Sequence, residues 1–209
     1  RLTIDGNTYA FPLVSATHAN YLQPNSSDDG AGQSVLSGLP CPGFNCHHDY
    51  HALDMGIRME MVSGDKATEY GGTSGDMMYY SAGASVAAFT DGKVTHAGEY
   101  HNGVDSSWWD KCGQISIDGN DGNHYWLGHL DLSAITVSAG DTVKAGDIIA
   151  KVGAPQCAQG TQSHLHIDNY NGTNAKSDTW TIEVMNQLWE KLDGSDSGSG
   201  VTTCSTGDL

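Results

Sequence analysis

From residue 84 onward the chain breaks into short β-prone runs separated by turn residues, and this rhythm limits the fold more than any other feature. Ser85-Val86-Ala87-Ala88-Phe89, Lys93-Val94-Thr95-His96-Ala97, Gln114-Ile115-Ser116-Ile117, His124-Tyr125-Trp126-Leu127 and Asp147-Ile148-Ile149-Ala150-Lys151-Val152 are each of strand length. Asp91-Gly92 lies between the first two and reads as a hairpin turn. Glycine is abundant at 27 residues and follows no collagen period, which fits many tight turns. The pattern predicts an all-β domain, an antiparallel β-sheet or sandwich with long loops at 63–83 and 99–111. Only Ile182, Met185, Leu188, Trp189 and Leu192 recur at helical spacing, so a single C-terminal helix is expected, capped by Asp178 or Thr179. These signals divide the chain into an N-terminal extension (residues 1–46), a main domain (47–175) and a C-terminal helix with a flexible tail (176–209). Within the extension, Ile4, Tyr9, Phe11 and Leu13 hint at a short strand.

Charge and cysteines narrow the function classes. Nine basic residues against 25 acidic ones leave a net charge of −16, which repels nucleic acid and anionic lipid. The acidity also serves solubility alone, and it names no substrate. No apolar run approaches the ~20 residues that span a bilayer. The sequence opens at Arg1 without a signal-like segment, as expected of a processed or trimmed chain. The five cysteines do not form a pair of CxxC hooks, which argues against a four-cysteine zinc site. Cys41 and Cys46 bracket a short loop and could pair locally; Cys112 and Cys157 could form a long-range bridge, leaving Cys204 over. Such bridges fit an oxidising, extracellular setting, whereas buried free thiols would not require one.

Three stretches carry chemistry. In Ser163-His164-Leu165-His166-Ile167-Asp168, strand alternation puts His164 and His166 on one face and Leu165 and Ile167 on the other. Two imidazoles on one face can share a metal site, although a solvated strand face gives the same pattern. Cys46-His47-His48-Asp49-Tyr50-His51-Ala52-Leu53-Asp54 gathers histidines and carboxylates, and two His with one Asp would leave a catalytic zinc its open position. A merely His-rich polar loop is the alternative there. In Tyr125-Trp126-Leu127-Gly128-His129-Leu130 a lone histidine sits among aromatics, ordinarily a sign of a hydrogen-bonded core or rim residue. Asp168 reads as an ordinary strand carboxylate rather than as the partner of a ligand imidazole.

In this order the three stretches resemble the M23 family of zinc metallopeptidases, of lysostaphin type. Ala84 to Val94 resembles the family's "V-x-A-x-x-x-G-x-V" strand and turn, and Val137 to Asp147 its "V-x-x-G-x-x-V-x-x-G-x" hairpin, so the likeness covers roughly residues 47–170. The departure is in the first motif, where the position four residues before Asp54 is Tyr50. A two-residue insertion would make His48 the ligand, with His47 and His51 as alternatives. The resemblance implies one Zn2+ per chain held by His48, Asp54 and His166, with His129 and His164 as catalytic groups flanking the open position. It also implies a lysostaphin-type fold and a secreted or cell-envelope enzyme, expected to be a monomer, that cuts peptide bonds in peptidoglycan, at a stem or a cross-bridge. A glycine-rich protein is a further possible substrate.

Three rival readings are weaker. A catalytically inactive wall-binding or regulatory module of the same fold would be expected to lose ligands, and this chain keeps a full set. A lipoyl-carrier barrel would use Lys66 in Asp65-Lys66-Ala67, but that lysine lies in a Gly-rich loop and the histidines go unexplained. A purely structural zinc would recruit His129 or His164 as a fourth ligand.

Overall fold

The computed structural model describes residues 1–14, 82–101, 103–158 and 163–169 with their side chains, along with Val184, Met185, Gln187, Leu188 and Lys191; for 44–46, 52–55, 58–61, 77–79 and Tyr170 it describes the backbone. The strands are β1 (Leu2–Ile4), β2 (Asn7–Tyr9), β3 (Phe44–Cys46), β4 (Ala52–Met55), β5 (Arg58–Met61), β6 (Met77–Tyr79), β7 (Ser85–Ala87), β8 (Gly92–Glu99), β9 (Cys112–Gly119), β10 (His124–Asp131), β11 (Thr142–Val143), β12 (Ile148–Lys151) and β13 (Leu165–Tyr170). The main sheet runs β11-β8-β9-β10-β13-β4-β3, and β1-β2, β12-β7 and β5-β6 form separate pairs. The pairings in the main sheet are antiparallel, as the strand rhythm predicts.

Strand alternation gives the main sheet two unlike faces. Ile115, Ile117, Tyr125, Leu127, Leu165 and Ile167 are fully or almost fully buried and form the floor of the core. Their neighbours Gln114, Ser116, Trp126, His166 and Asp168 stand on the other face, where Asp168, Trp126, Ser116 and His96 fall in one row across β13, β10, β9 and β8.

The β12-β7 pair and residues 9–13 cover the apolar face. Tyr9 bridges to Thr90 and Leu13 to Val86, so part of the segment read as an N-terminal extension is packed in the principal core. Phe89 packs between Tyr9 (5.3 Å) and Tyr125 (5.1 Å). Buried phenols need a polar partner. Asp121 Oδ2 accepts from Tyr9 (3.0 Å) and Tyr125 (2.7 Å), and burial followed by this carboxylate pushes both hydroxyls well above the ordinary tyrosine range.

Two expectations are corrected. Asp91-Gly92 is not a hairpin turn, because β7 pairs with β12 while β8 pairs with β9 and β11. Asp91 instead pins a corner: its carboxylate accepts from the Ala145 amide (2.8 Å) and meets Lys144 (3.1 Å). Those contacts, the amide first, hold its carboxyl below the usual range. Likewise 137–147 is not a self-paired hairpin; Gly140 (φ 100°) and Gly146 (φ 90°) turn the chain so that β11 joins β8 and β12 joins β7. The expected C-terminal helix is not seen as an element among the described residues. Val184, Met185, Gln187 and Leu188 are helical, and Val184, Met185 and Leu188 are buried in the principal core. Among the described residues no helix is long and apolar enough to cross a membrane.

Candidate metal centre

The polar face of β13 supplies the first group. His166 pairs with Gly128 of β10 on one side and Asp54 of β4 on the other. Buried Leu165 and Ile167 fix its orientation away from the core. His164 lies just before the strand, after Ser163, whose hydroxyl accepts from the Ala82 amide (3.0 Å).

His129 arrives through an irregularity in β10. Leu127 pairs with Ile115 and Leu130 with Gly113, so Gly128 and His129 together stand opposite Gln114. In an unbroken ladder His129 would follow Leu127 onto the core face. The bulge resets the alternation, Leu130 is buried instead, and His129 takes φ 61°, a left-handed value uncommon outside glycine. The Trp126 indole lies across Gly128 where a Cβ would be, so the bulge has no room for a side chain at that position.

The ligating nitrogens of His129, His164 and His166 all lie within 4.8 Å of one another. The His129 ring is 4.7 Å from that of His164 and 5.4 Å from that of His166. Trp126 stands edge-on to His166 at 5.3 Å and Tyr100 edge-on to His129 at 5.5 Å, forming aromatic walls. Trp126 is itself held by a 2.9 Å bond from Nε1 to Gln114 Oε1. His129 Nδ1 is 2.7 Å from the Cys157 carbonyl. A carbonyl only accepts, so Nδ1 carries the proton and the lone pair lies on Nε2. Cys157 is disulfide-bonded to Cys112, the long-range pair that the sequence allowed. Asp168 Oδ2 lies 3.5 Å from His166 Nε2, with both side chains about one-tenth exposed, so this carboxylate is not the ordinary strand residue that the sequence suggested.

Three imidazoles in this arrangement suit one divalent ion of borderline softness, for which zinc is the common case. Of the other sequence-derived ligands, His48 and its alternatives His47 and His51 lie outside the described residues, and Asp54 is described by its backbone as the register partner of His166. Of the aromatic residues in the long loops at 63–83 and 99–111, Trp109 stacks on His101 (4.4 Å) and is 40% exposed, while Trp108 packs against the cluster of Tyr100, Val104, Cys112 and Cys157. Tyr79 is described by its backbone and Tyr80 lies outside the described residues. A shallow depression lined by His96, Glu99, His101 and Gln114 continues the polar face from Trp126 towards β8. Sequence reasoning named Cys157 as a bridge cysteine but missed its carbonyl as the partner of His129, and it missed Gln114 and Tyr100; Asp168 had a usable signal, its place two residues after His166 on the same strand face.

A family model described as Peptidase family M23 matches residues 72–177. Among solved structures, the antimicrobial peptidase lysostaphin from Staphylococcus simulans is 23% identical, over 84% of this chain and 55% of its own, with a TM-score of 0.43. The chain thus spans about half the length of that protein. The M23 metalloprotease pseudoalterin from the deep sea is 16% identical over 80% of this chain and 73% of its own (TM-score 0.39). The SpoIIQ-SpoIIIAH pore forming complex contributes a chain 14% identical over 82% of this one and 88% of its own (TM-score 0.40).

Proposed function

Because the chain belongs to peptidase family M23, we propose that it is a zinc-dependent endopeptidase that hydrolyses peptide bonds of bacterial peptidoglycan. The observation that carries this reading is the convergence of His129, His164 and His166 on one partly enclosed spot of the polar sheet face. In this reading His48, Asp54 and His166 hold the ion, while His129 and His164 act on substrate. Residues paired directly across an antiparallel ladder share a face, which supports placing Asp54 and His166 in one ligand set. His48 rests on the motif resemblance. A zinc ion held there would activate a water and polarise the scissile carbonyl.

The protein's own groups divide the remaining work. With its Nδ1 proton committed to the Cys157 carbonyl, His129 presents Nε2 to take a proton from the attacking water. His164, whose ring lies 4.7 Å from that of His129, donates towards the developing oxyanion or the leaving amine. Asp168 Oδ2, 3.5 Å from Nε2 of His166, would hold that ring so that its other nitrogen is free to ligate the ion. The Cys112–Cys157 bridge supports an extracytoplasmic site of action, secreted or in the cell envelope.

The test is digestion of purified peptidoglycan with mass spectrometry of the released ends, comparing the zinc-loaded parent with His166→Ala. The parent should generate new amino termini at a stem or cross-bridge linkage, and the variant none. A zinc-loaded parent that releases no new ends but co-sediments with the wall would establish the binding-module alternative instead.

A further inference from the structure

We propose that Cys157 is a positioning residue: its carbonyl sets the tautomer and aim of His129, and the Cys112–Cys157 bridge clamps that carbonyl in place. The inference rests on the reading of His129 as a catalytic group. Which imidazole nitrogen carries the proton follows from what the other one meets. An unconstrained histidine favours the proton on Nε2, which would put a donor where the proposed reaction needs a lone pair. The buried 2.7 Å contact from Nδ1 to the Cys157 oxygen reverses that preference.

The carbonyl is held from three directions. Cys157 lies in a 3-10 turn, Pro155–Ala158, with its own amide bonded to Ala154 O at 2.9 Å. One step upstream the Gly153 amide donates to the His129 carbonyl at 2.8 Å, beside the Leu130 to Val152 bridge. The same short segment therefore holds His129 by its main chain and by its ring. The disulfide then ties the turn to Cys112, which pairs with Asp131 two residues beyond His129. There is no slack between these parts: a Cβ on Gly153 would meet the Cys157 Cβ, the Cys157 Sγ and the His129 oxygen, each at 3.0 Å. Tyr100, Val104, Trp108 and Trp126 pack around the bridge and exclude water from it.

The experiment is a long-range proton–nitrogen spectrum of 15N-histidine protein, metal-free, for the parent and for Cys112→Ala/Cys157→Ala, which keeps the carbonyl but loses the link. The parent should show His129 protonated at Nδ1, and the variant a mixture with a new Nε2-protonated population. With zinc restored, kcat on a wall peptide should fall on the order of 10–100-fold, with KM within about twofold. A variant that melts at a lower temperature yet keeps the parent's His129 tautomer and kcat would reduce the bridge to a stabiliser and overturn the inference. If the variant does not fold, the parent titrated with a thiol reductant gives the same readout. A protein that unfolds before the His129 signal changes also overturns it. Failure of the parent itself to hydrolyse any wall peptide would count against the peptidase reading and leave the tautomer result standing.

Discussion

At the residue scale, His129 combines an unusual backbone with a fixed ring. It sits at φ 61°, is 7% exposed, and gives its Nδ1 proton to a carbonyl 28 positions along the chain. Left-handed backbone at a non-glycine residue costs on the order of 1 kcal/mol or more and persists where the surroundings over-determine it. If His129 works as a base rather than as a ligand, His129→Ala should retain its zinc by elemental analysis while kcat drops by about 100-fold or more. Normal turnover in that variant would remove His129 from the chemistry. Asp168 makes a different prediction because, in the proposed reading, it would act through His166, 3.5 Å away. Asp168→Asn keeps the shape and loses the charge, so zinc affinity measured against a competing chelator should weaken by about 10–100-fold with the fold intact. The pairing of His164 with His166 was legible because alternation is a local rule. The partners of His129 were not, since nothing near residue 129 in sequence indicates that a carbonyl at 157 closes on it.

The bulge in β10 connects local sequence to the site at the scale of elements. A strand without it would send His129 into the core and Leu130 onto the polar face, putting an apolar residue where an imidazole now stands. Glycine at 128 makes the irregular path possible, because the Trp126 indole lies where a side chain would begin. Gly128→Ala must therefore displace Trp126, the wall beside His166 and the donor to Gln114. Overpacking of this kind costs about 1–3 kcal/mol. Thermal unfolding of Gly128→Ala should show a Tm lowered by roughly 2–12 °C, with a changed near-ultraviolet tryptophan signal. An unchanged melt and spectrum would mean that the indole has room to move. The strands of 85–152 were readable from their composition, whereas their partners were not. Asp91-Gly92 has hairpin chemistry, yet β7 and β8 leave it for different sheets, a choice made by the long-range pairs with β12 and β9.

Over the whole molecule, the two-faced sheet separates stability from chemistry. Its apolar side is closed by β7, β12 and residues 9–13, so the other side is left to carry imidazoles, indole and carboxylate without disturbing the core. An ion held by His166 on β13 and Asp54 on β4 would tie adjacent strands of one sheet and bind only the folded chain. Ligation to the native state alone stabilises by about 4 kcal/mol when free zinc exceeds Kd a thousandfold. For a domain of this size that corresponds to a Tm rise of roughly 8–16 °C. Calorimetry of chelator-stripped and zinc-reconstituted protein should show this difference. The net charge of −16 attracts any divalent cation to the surface, so the comparison needs magnesium at equal ionic strength. Magnesium prefers oxygen ligands and should leave the melt nearly unchanged, because it is a poor fit to a cluster of imidazoles. His166→Ala should lose the zinc-dependent rise and His129→Ala should keep most of it, which separates ligand from base by a measurement that involves no substrate. Equal shifts from zinc and magnesium would assign the stabilisation to charge screening over the acidic surface, and the histidine cluster would then have no claim to the ion.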